Sequence, residues 1–406
     1  MAVAAGPVRA DEPVVETSAS LGAGMFGAQP ASTVDLGVGA SGTAGDTSYA
    51  VGVGARARWL AVGGFRDEEW DEPSEKARVL RYGLVRWAAP DRSGELSAAV
   101  GELGGVTLGH GTLMDGYASG LDVDHGHVGV ELRAAGGPLA GELVLDDVVA
   151  PRIAGARVAI EREQGVVAGV SAAADRSAPT AMGDGGASFA AAAMDLELRA
   201  RTDGDGARGA IYGDLVGLGG LGGGVHVGVR GDARAAGDAR VGARAEARAG
   251  TGGYVAGWFG PLYERDRREL DAPGATRAGQ LDAARGGEVG GLGAAGALTL
   301  EVPDAATAAA SYAVRPGLSD VASVRIAAPY RAGVQAALWS AALVERVGET
   351  EALALALELR VRLPRGLFLR GEAARLYQSE PSEMDGAERM RALWTAQVAV
   401  GHSIGD

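Results

Sequence analysis

The densest set of side chains that could do chemistry lies between residues 110 and 127, where imidazoles and carboxylates are clustered. Its members are His110, Asp115, Asp122, Asp124, His125 and His127, which include three of the five histidines of the chain. Imidazole and carboxylate groups together can hold a divalent transition metal. Asp122 and Asp124 alternate with Val123 as on a strand, however, so the two following histidines fall on the opposite face. We therefore expect no metal ion and interpret the segment as a turn or an inward-folded constriction loop. The weak candidate ligands are His110, Asp122, Asp124, His125 and His127.

Catalytic motifs are scarce elsewhere. No serine lies in a nucleophile-elbow context, and no motif places two carboxylates together. The run from Gly217 to Gly222 matches the spacing of a dinucleotide-binding loop, but an alternating strand follows it where a helix is required, so we interpret it as a glycine-rich turn. We predict no enzyme, no catalytic residue and no cofactor, with His110 and His226 as the only bases worth testing.

Composition narrows the class of protein. The formal net charge of −14 and the sequence pI near 5.0 argue against a general nucleic-acid-binding protein. The sequence lacks the roughly 18 consecutive apolar residues that a membrane-spanning helix needs. Its 67 glycines disfavour a helical bundle, and with no cysteine it can form no disulfide.

Apolar and polar residues alternate in many short segments. In residues 352–363, leucines and one valine occupy every second position, while Glu358, Arg360 and Arg362 share the other face. A wall between lipid and water requires this two-residue period. The same alternation recurs in 34–40, 49–61, 194–201, 225–230 and 240–248.

The polar faces of these strands would line a water-filled lumen. The predicted pore-lining residues are Arg56, Arg58, Arg240, Arg244, Glu246, Arg248, Glu358, Arg360 and Arg362. Their charges would set which ions and solutes pass. A solvated face of a soluble sheet is the alternative interpretation.

Several tryptophans and tyrosines lie near segment ends, among them Trp59, Trp87, Tyr254, Trp258, Tyr312, Tyr330, Trp339 and Trp394. Interface girdles or ordinary core packing would explain these aromatic positions equally well.

Short turn clusters separate the alternating segments, and longer charged stretches occupy 66–76, 263–287 and 379–385. Short turns on one rim and long loops on the other are typical of a barrel with one periplasmic and one external rim. We predict an all-β fold, a closed antiparallel transmembrane β-barrel of about 18 strands, with a range of 16 to 20. Residues 13–406 would form one barrel domain, and residues 1–12 would be the remnant of a signal peptide or a disordered N-terminus.

Over nearly its whole length the sequence resembles porin-like outer-membrane β-barrel proteins. Residues 393–404 look like the closing strand of such proteins, although Gly405 and Asp406 follow where an aromatic residue would end the chain. The resemblance implies an outer-membrane location, contact with lipid and passive diffusion of small polar solutes or ions, with no nucleic-acid partner. A plugged or narrow barrel that anchors envelope partners, and a soluble glycine-rich β protein such as an adhesin, are the alternatives. The oligomeric state stays open.

Overall fold

The computed structural model describes residues 14–91, 93–162, 165–180, 183–201, 206–235, 238–268, 286–287, 289–303, 305–328, 337–347, 352–381 and 388–404. The predicted signal-peptide remnant, the end of the chain at 405–406 and most of the charged stretch 263–287 lie outside these residues.

Strands make up most of the described chain. They are β1 (Val14–Phe26), β2 (Gln29–Ala44), β3 (Thr47–Leu60), β4 (Gly64–Phe65), β5 (Leu80–Ala88), β6 (Gly94–Gly101), β7 (Gly104–Val106), β8 (Tyr117–Ala118), β9 (Gly129–Gly136), β10 (Leu139–Leu145), β11 (Ile153–Glu161), β12 (Val166–Thr180), β13 (Gly183–Arg201), β14 (Arg208–Leu218), β15 (Gly222–Arg234), β16 (Arg240–Gly250), β17 (Gly291–Val302), β18 (Ala306–Val314), β19 (Val321–Ala328), β20 (Ala337–Arg346), β21 (Leu353–Arg362), β22 (Leu367–Pro381) and β23 (Glu388–Ile404). The glycine run 217–222 contains the hairpin turn between β14 and β15, at residues 219–221, as expected.

Helices are short. α1 spans Pro73–Lys76 and α2 spans Tyr263–Arg268, and single 3₁₀ turns occupy Asp67–Glu69, Ala77–Val79 and Pro364–Gly366. Among the described residues, no helix has the length and apolar character needed to cross a membrane.

The main sheet returns on itself. The sheet has 21 strands, one of which is the two-residue β4. Each of the other twenty pairs antiparallel with the next of the twenty along the chain. The short strands β4, β7 and β8 are insertions between members of this series. The first strand then pairs with the last, with Thr17 opposite Ile404 and Phe26 opposite Thr395. A sheet closed in this way has no free edge, which removes the usual route to edge-to-edge aggregation.

The predicted all-β antiparallel architecture is confirmed, and the strand number lies at the upper end of the predicted range. The estimate of 18 was two strands low. Connections as short as 27–28, 45–46 and 137–138 leave residues for the additional strands.

The two faces of the sheet differ in chemistry, because successive side chains of a strand point to opposite sides. Large apolar side chains are exposed to the outside on nearly every strand of the ring. They include Leu21, Val38, Val53, Val85, Leu96, Leu143, Val158, Val170, Met194, Leu215, Val227, Val241, Leu298, Tyr312, Val324, Leu357, Leu369 and Val398. The outside of the ring is therefore an apolar belt, and its inside, the lumen, is lined by the alternate residues.

The two rims of the ring differ in the length of their connections. We call the end where β1 begins and β23 ends the terminal rim, and the opposite end the distal rim. At the terminal rim no connection is longer than residues 329–336, between β19 and β20. All three long connections, 61–79, 102–128 and 251–290, start from the distal rim. This asymmetry is the one that the sequence predicts.

Candidate functional site

Paired charges line the inner wall. Arg157 on β11 donates through Nη2 to Asp195 on β13 at 2.6 Å, and its Nη1 lies 3.3 Å from Glu142 on β10. The neighbours of these residues along each strand, such as Val158 and Met194, are exposed on the outside. The polar half of the alternation therefore faces the lumen.

Residues 102–128 run through the lumen. His110 binds the inner wall on one side, where Arg244 of β16 donates to its carbonyl oxygen at 2.6 Å. Asp122 forms a parallel bridge with Tyr377 of β22, on another part of the ring. The segment therefore crosses the interior, as expected of an inward-folded loop. The strands β7 and β8 pair within it.

Residues 251–268 form a second inward segment that packs against the first. Met114 and Phe259 form a bridge between the two, and the ring of Trp258 stacks on Phe189 of β13 with centroids 4.5 Å apart. We call residues 102–128 and 251–268 the in-folded segments. Together with inward residues of β10 to β14 they bury an apolar core, whose members include Leu103, Val106, Leu108, Leu113, Met114, Tyr117, Val144, Ile153, Phe189, Val216, Leu218, Tyr254, Val255, Trp258, Phe259 and Tyr263.

The core fills only the distal half of the lumen on this side. Along β14 the inward side chains change from buried Leu218 and Val216 near the distal rim to exposed Arg208 at the terminal rim. Along β13 buried Phe189 gives way to exposed Arg199 in the same direction. The lumen is therefore closed off by protein near the distal rim and open to solvent near the terminal rim along these strands.

His110 fixes the first in-folded segment to the wall. Its Nδ1 lies 2.8 Å from Asp214 Oδ1 and its Nε2 lies 2.8 Å from Glu197 Oε2, while its ring stacks on Tyr212 at 4.0 Å. The hydroxyl of Thr112 donates to the other oxygen of Asp214. Two buried carboxylates on one imidazole form a charge-assisted clamp, a type of contact stronger than a neutral hydrogen bond.

A second charged cluster lies on the part of the wall made by β2, β3, β5 and β22. We call Asp35, Arg56, Arg81, Arg370 and Glu372 the arginine wall. All three guanidinium groups lie within 3.3 Å of the Asp35 carboxylate, and two of them also pair with Glu372.

The two clusters differ in their contact with water. The side chains of Arg56 and Arg81 are 30% exposed, whereas those of Glu197 and Asp214 beside His110 are 1% exposed. Solvent within the lumen therefore reaches the arginine wall, and the in-folded segments exclude it from the His110 side.

All the predicted pore-lining residues lie on the inward faces of their strands. Arg56 and Arg58 are on β3, Arg240, Arg244, Glu246 and Arg248 on β16, and Glu358, Arg360 and Arg362 on β21. Their surroundings differ. Arg240 is exposed, whereas Glu246 and Arg248 are buried under the second in-folded segment. There Glu246 accepts hydrogen bonds from Tyr212 and Arg248.

The five candidate metal ligands of the sequence do not form one site. His110 is held by the wall, and Asp124 pairs with Arg66. Among the described residues, the one contact between two of their side chains joins Asp122 and His125, with Nδ1 2.9 Å from Oδ2. His127 points elsewhere, toward Asp146. The base candidate His226 is fully buried between Glu246 and Tyr254.

The aromatic residues divide between the two interpretations. Trp59, Trp87, Tyr312 and Trp394 are exposed on the outside, where girdle residues would lie. Tyr254 and Trp258 are not girdle residues, because they lie inside the ring with 5% and 1% of their surface exposed. Tyr330 lies outside the described residues, as does the side chain of Trp339.

Alternation cannot reveal the in-folded segments, because they are not strands of the wall. One feature of the sequence does indicate the second in-folded segment. Tyr254, Trp258, Phe259 and Tyr263 lie close together in a chain with only 5% aromatic residues, within a connection too long for a turn. Such a concentration indicates a packed core rather than an exposed loop.

Comparisons with solved structures give similar proteins. A BenF-like porin from Pseudomonas fluorescens Pf-5 has 11% identity and a TM-score of 0.35, with 97% of this chain and 98% of that chain covered. Pseudomonas aeruginosa OccK2 (OpdF) in complex with glucuronate has 9% identity, 97% coverage of both chains and a TM-score of 0.34. Wzi, a carbohydrate-binding outer-membrane β-barrel of Escherichia coli, has 12% identity, a TM-score of 0.33 and coverage of 97% and 84%.

The porin-like outer-membrane barrels that the sequence resembles are therefore also among the proteins whose structures resemble it. At these scores the alignments assign neither residue roles nor solutes to this chain. No protein-family model matches the sequence, and no curated protein matches it.

Proposed function

We propose that this protein is a bacterial outer-membrane channel that lets small polar solutes or ions diffuse passively, with a bore narrowed by its two in-folded segments. The apolar belt supports the membrane location. Side chains such as Val227 and Leu298 are 61% and 63% exposed on the outside of the ring. A soluble protein rarely exposes a contiguous apolar surface of this extent, whereas lipid covers it at no cost.

The proposed solute pathway is based on the arginine wall, which is partly hydrated. On the opposite side, the apolar core and the His110 clamp exclude water. A solute would therefore pass between the arginine wall and the in-folded segments, and it would enter or leave through the open half at the terminal rim. Charged side chains that water reaches replace part of the hydration shell of a polar solute, which is how such pores select.

Planar-bilayer recording of the refolded or detergent-extracted protein tests this proposal. We expect stepwise conductance increments of uniform size, smaller than those of an unobstructed barrel of the same strand number. Insertion without stepwise conductance, shown by protein recovered from the bilayer, would overturn the channel proposal.

One observation favours a second candidate function, a plugged barrel that serves as an anchor for envelope partners. The apolar core inside the ring packs as tightly as a protein interior, with Trp258, Phe259 and Met114 at most 1% exposed. A core of this kind resists displacement by a solute. A silent wild-type protein and a conducting Trp258→Ala variant would support the anchor over the channel.

A further inference from the structure

Three connections of the barrel meet at a buried group of potential ligands. His127 is near the end of the first in-folded segment, Asp146 begins the connection between β10 and β11, and Glu264 is on α2 in the second in-folded segment. One ligand atom from each lies within 4.8 Å of the others. All three side chains are more than nine-tenths buried.

The hydrogen bonds around the group leave two atoms facing each other. His127 Nδ1 lies 2.8 Å from the carbonyl oxygen of His125, a contact that requires a proton on Nδ1 and, in the tautomer that binds a metal, leaves a lone pair on Nε2. Asp146 Oδ1 accepts from the backbone amides of Arg152 and Ile153 at 2.9 Å. His127 Nε2 and Asp146 Oδ2 are 3.8 Å apart, and neither has a hydrogen-bond partner within the described chain.

Two buried acceptors without donors are costly. A buried polar atom that lacks a partner destabilises a protein by about 1–3 kcal/mol, and more when it is charged. A cation between these atoms would satisfy both. A carboxylate oxygen of Glu264 lies within 4.8 Å of the ligand atoms of both residues. Its Oε1 accepts from the hydroxyl of Tyr117 at 2.7 Å, which holds the side chain in this position.

A second group in the lumen, Asp214, His226 and Glu246, has the same residue types and similar spacing. Most of its polar atoms are engaged by neighbouring side chains, although His226 Nδ1, 3.1 Å from Glu246 Oε1, has no hydrogen bond among the described residues. Glu246 accepts from Tyr212 and Arg248, and His226 Nε2 lies 2.5 Å from the Tyr254 hydroxyl. The carboxylates of this second group therefore have donors, whereas Asp146 Oδ2 in the His127 group has none within the described chain.

We propose that His127, Asp146 and Glu264 bind a divalent transition-metal ion of the zinc type. One imidazole and two carboxylates suit such an ion, with bonds of about 2.0–2.2 Å. Ligand atoms at those bond lengths around a tetrahedral ion are about 3.4 Å apart, close to the separation of Nε2 and Oδ2. The carbonyl oxygen of His125, which accepts from His127, and the hydroxyl of Tyr117, which donates to Glu264, would be the outer contacts that orient the ligands. Arg267 Nη1 lies 3.7 Å from Glu264 Oε2. Arg267 also pairs with Asp175, whose carboxylate offsets the positive charge of the guanidinium group.

The ion would join both in-folded segments to the β10–β11 connection. Because the ligands come from parts of the chain far apart in sequence, binding would stabilise the folded lumen rather than any one loop. The site takes no part in the proposed solute pathway, so it does not depend on the protein being a channel.

Metal analysis of untagged full-length protein tests the site. The protein is stripped with EDTA in detergent, incubated with ZnCl2, desalted and measured by plasma mass spectrometry, and its unfolding temperature is recorded with and without zinc. We expect one zinc per chain and a higher unfolding temperature with zinc. His127→Gln and Glu264→Gln should each lose the retained zinc and the temperature shift.

Two control variants keep the test sharp. Asp147→Asn removes a buried charge beside the site, and His125→Gln removes an imidazole while the backbone carbonyl stays, so both should retain one zinc. Cobalt substitution of the wild-type protein should give the visible bands of a four-coordinate ion, which checks the geometry even if a ligand variant fails to fold. No zinc retained by the wild type, or equal zinc in the ligand variants, would overturn the site.

Discussion

Glu75 is a carboxyl group almost entirely removed from water, on α1 in the long connection between β3 and β5. Its Oε2 accepts from the backbone amide of Glu72 at 3.0 Å, and Glu72 caps the helix in return. Burial raises the pKa of Glu75 to about 7. The folded connection therefore favours the protonated form of this side chain.

The sign of the pH dependence follows from that raised pKa. The neutral carboxyl stabilises α1 fully below the unfolded pKa of about 4.3, and this stabilisation is lost as the pH rises through about 7. We expect amides 74–79 to be more protected from hydrogen exchange at pH 5 than at pH 8, after correction for the intrinsic rates. Glu75→Gln should remove most of the difference, and Glu68→Gln, at an exposed position, should leave it unchanged.

Arg81 is the residue at which the proposed pathway can be tested by charge. It donates to Asp35 at 2.6 Å, and water reaches it from the lumen. Arg81→Glu replaces a positive charge with a negative one beside Asp35 and should shift the reversal potential in a salt gradient toward cation selectivity. Lys76→Glu makes the same change of charge at an exposed site of the distal connection and should shift it much less. Equal shifts would place the pathway away from the arginine wall.

The strands of the wall could be predicted from the sequence because lipid and water impose a two-residue period on them. The segment 352–363 contains β21, and 240–248 lies within β16, with the predicted inward and outward faces. The in-folded segments follow no such period. They pack against several strands at once, so their positions depend on contacts far apart in sequence, such as Phe189 with Trp258.

Trp258 should hold the second in-folded segment in place. Its ring is 1% exposed and stacks on Phe189. Trp258→Ala removes this contact and leaves a cavity, at a cost of about 3–5 kcal/mol. Because the ring of strands makes its own hydrogen bonds, we expect local release of the segment rather than loss of the barrel.

Trypsin cleavage of folded protein in detergent measures that release. In the Trp258→Ala variant, Arg265 and Arg267, both buried in the wild type, should become cleavable while the barrel keeps its circular dichroism. Trp394→Ala, which removes an exposed tryptophan from the outer face, should not change the cleavage pattern. Resistance of both variants would show that the core does not depend on this ring.

The closure of the sheet into a ring and the difference between its two rims are properties of the whole molecule. The pairing of β1 with β23 joins residues at opposite ends of the sequence, and the segment 393–404, which resembles a closing strand, lies within β23. The terminal rim has only short connections, and the distal rim has the long ones. Outer-membrane barrels have short turns on the periplasmic side and longer loops outside. The distal rim is therefore expected to face the exterior.

Single-cysteine labelling tests this orientation, and the cysteine-free sequence makes each introduced thiol unique. Val62 is 72% exposed in the connection 61–79 of the distal rim, and Asp46 is exposed in the short turn 45–46 of the terminal rim. In intact cells, a membrane-impermeant maleimide too large for the bore should label Val62→Cys and not Asp46→Cys. Both should react after the outer membrane is permeabilised. The reverse pattern would invert the orientation, and labelling of both in intact cells would contradict the membrane location itself.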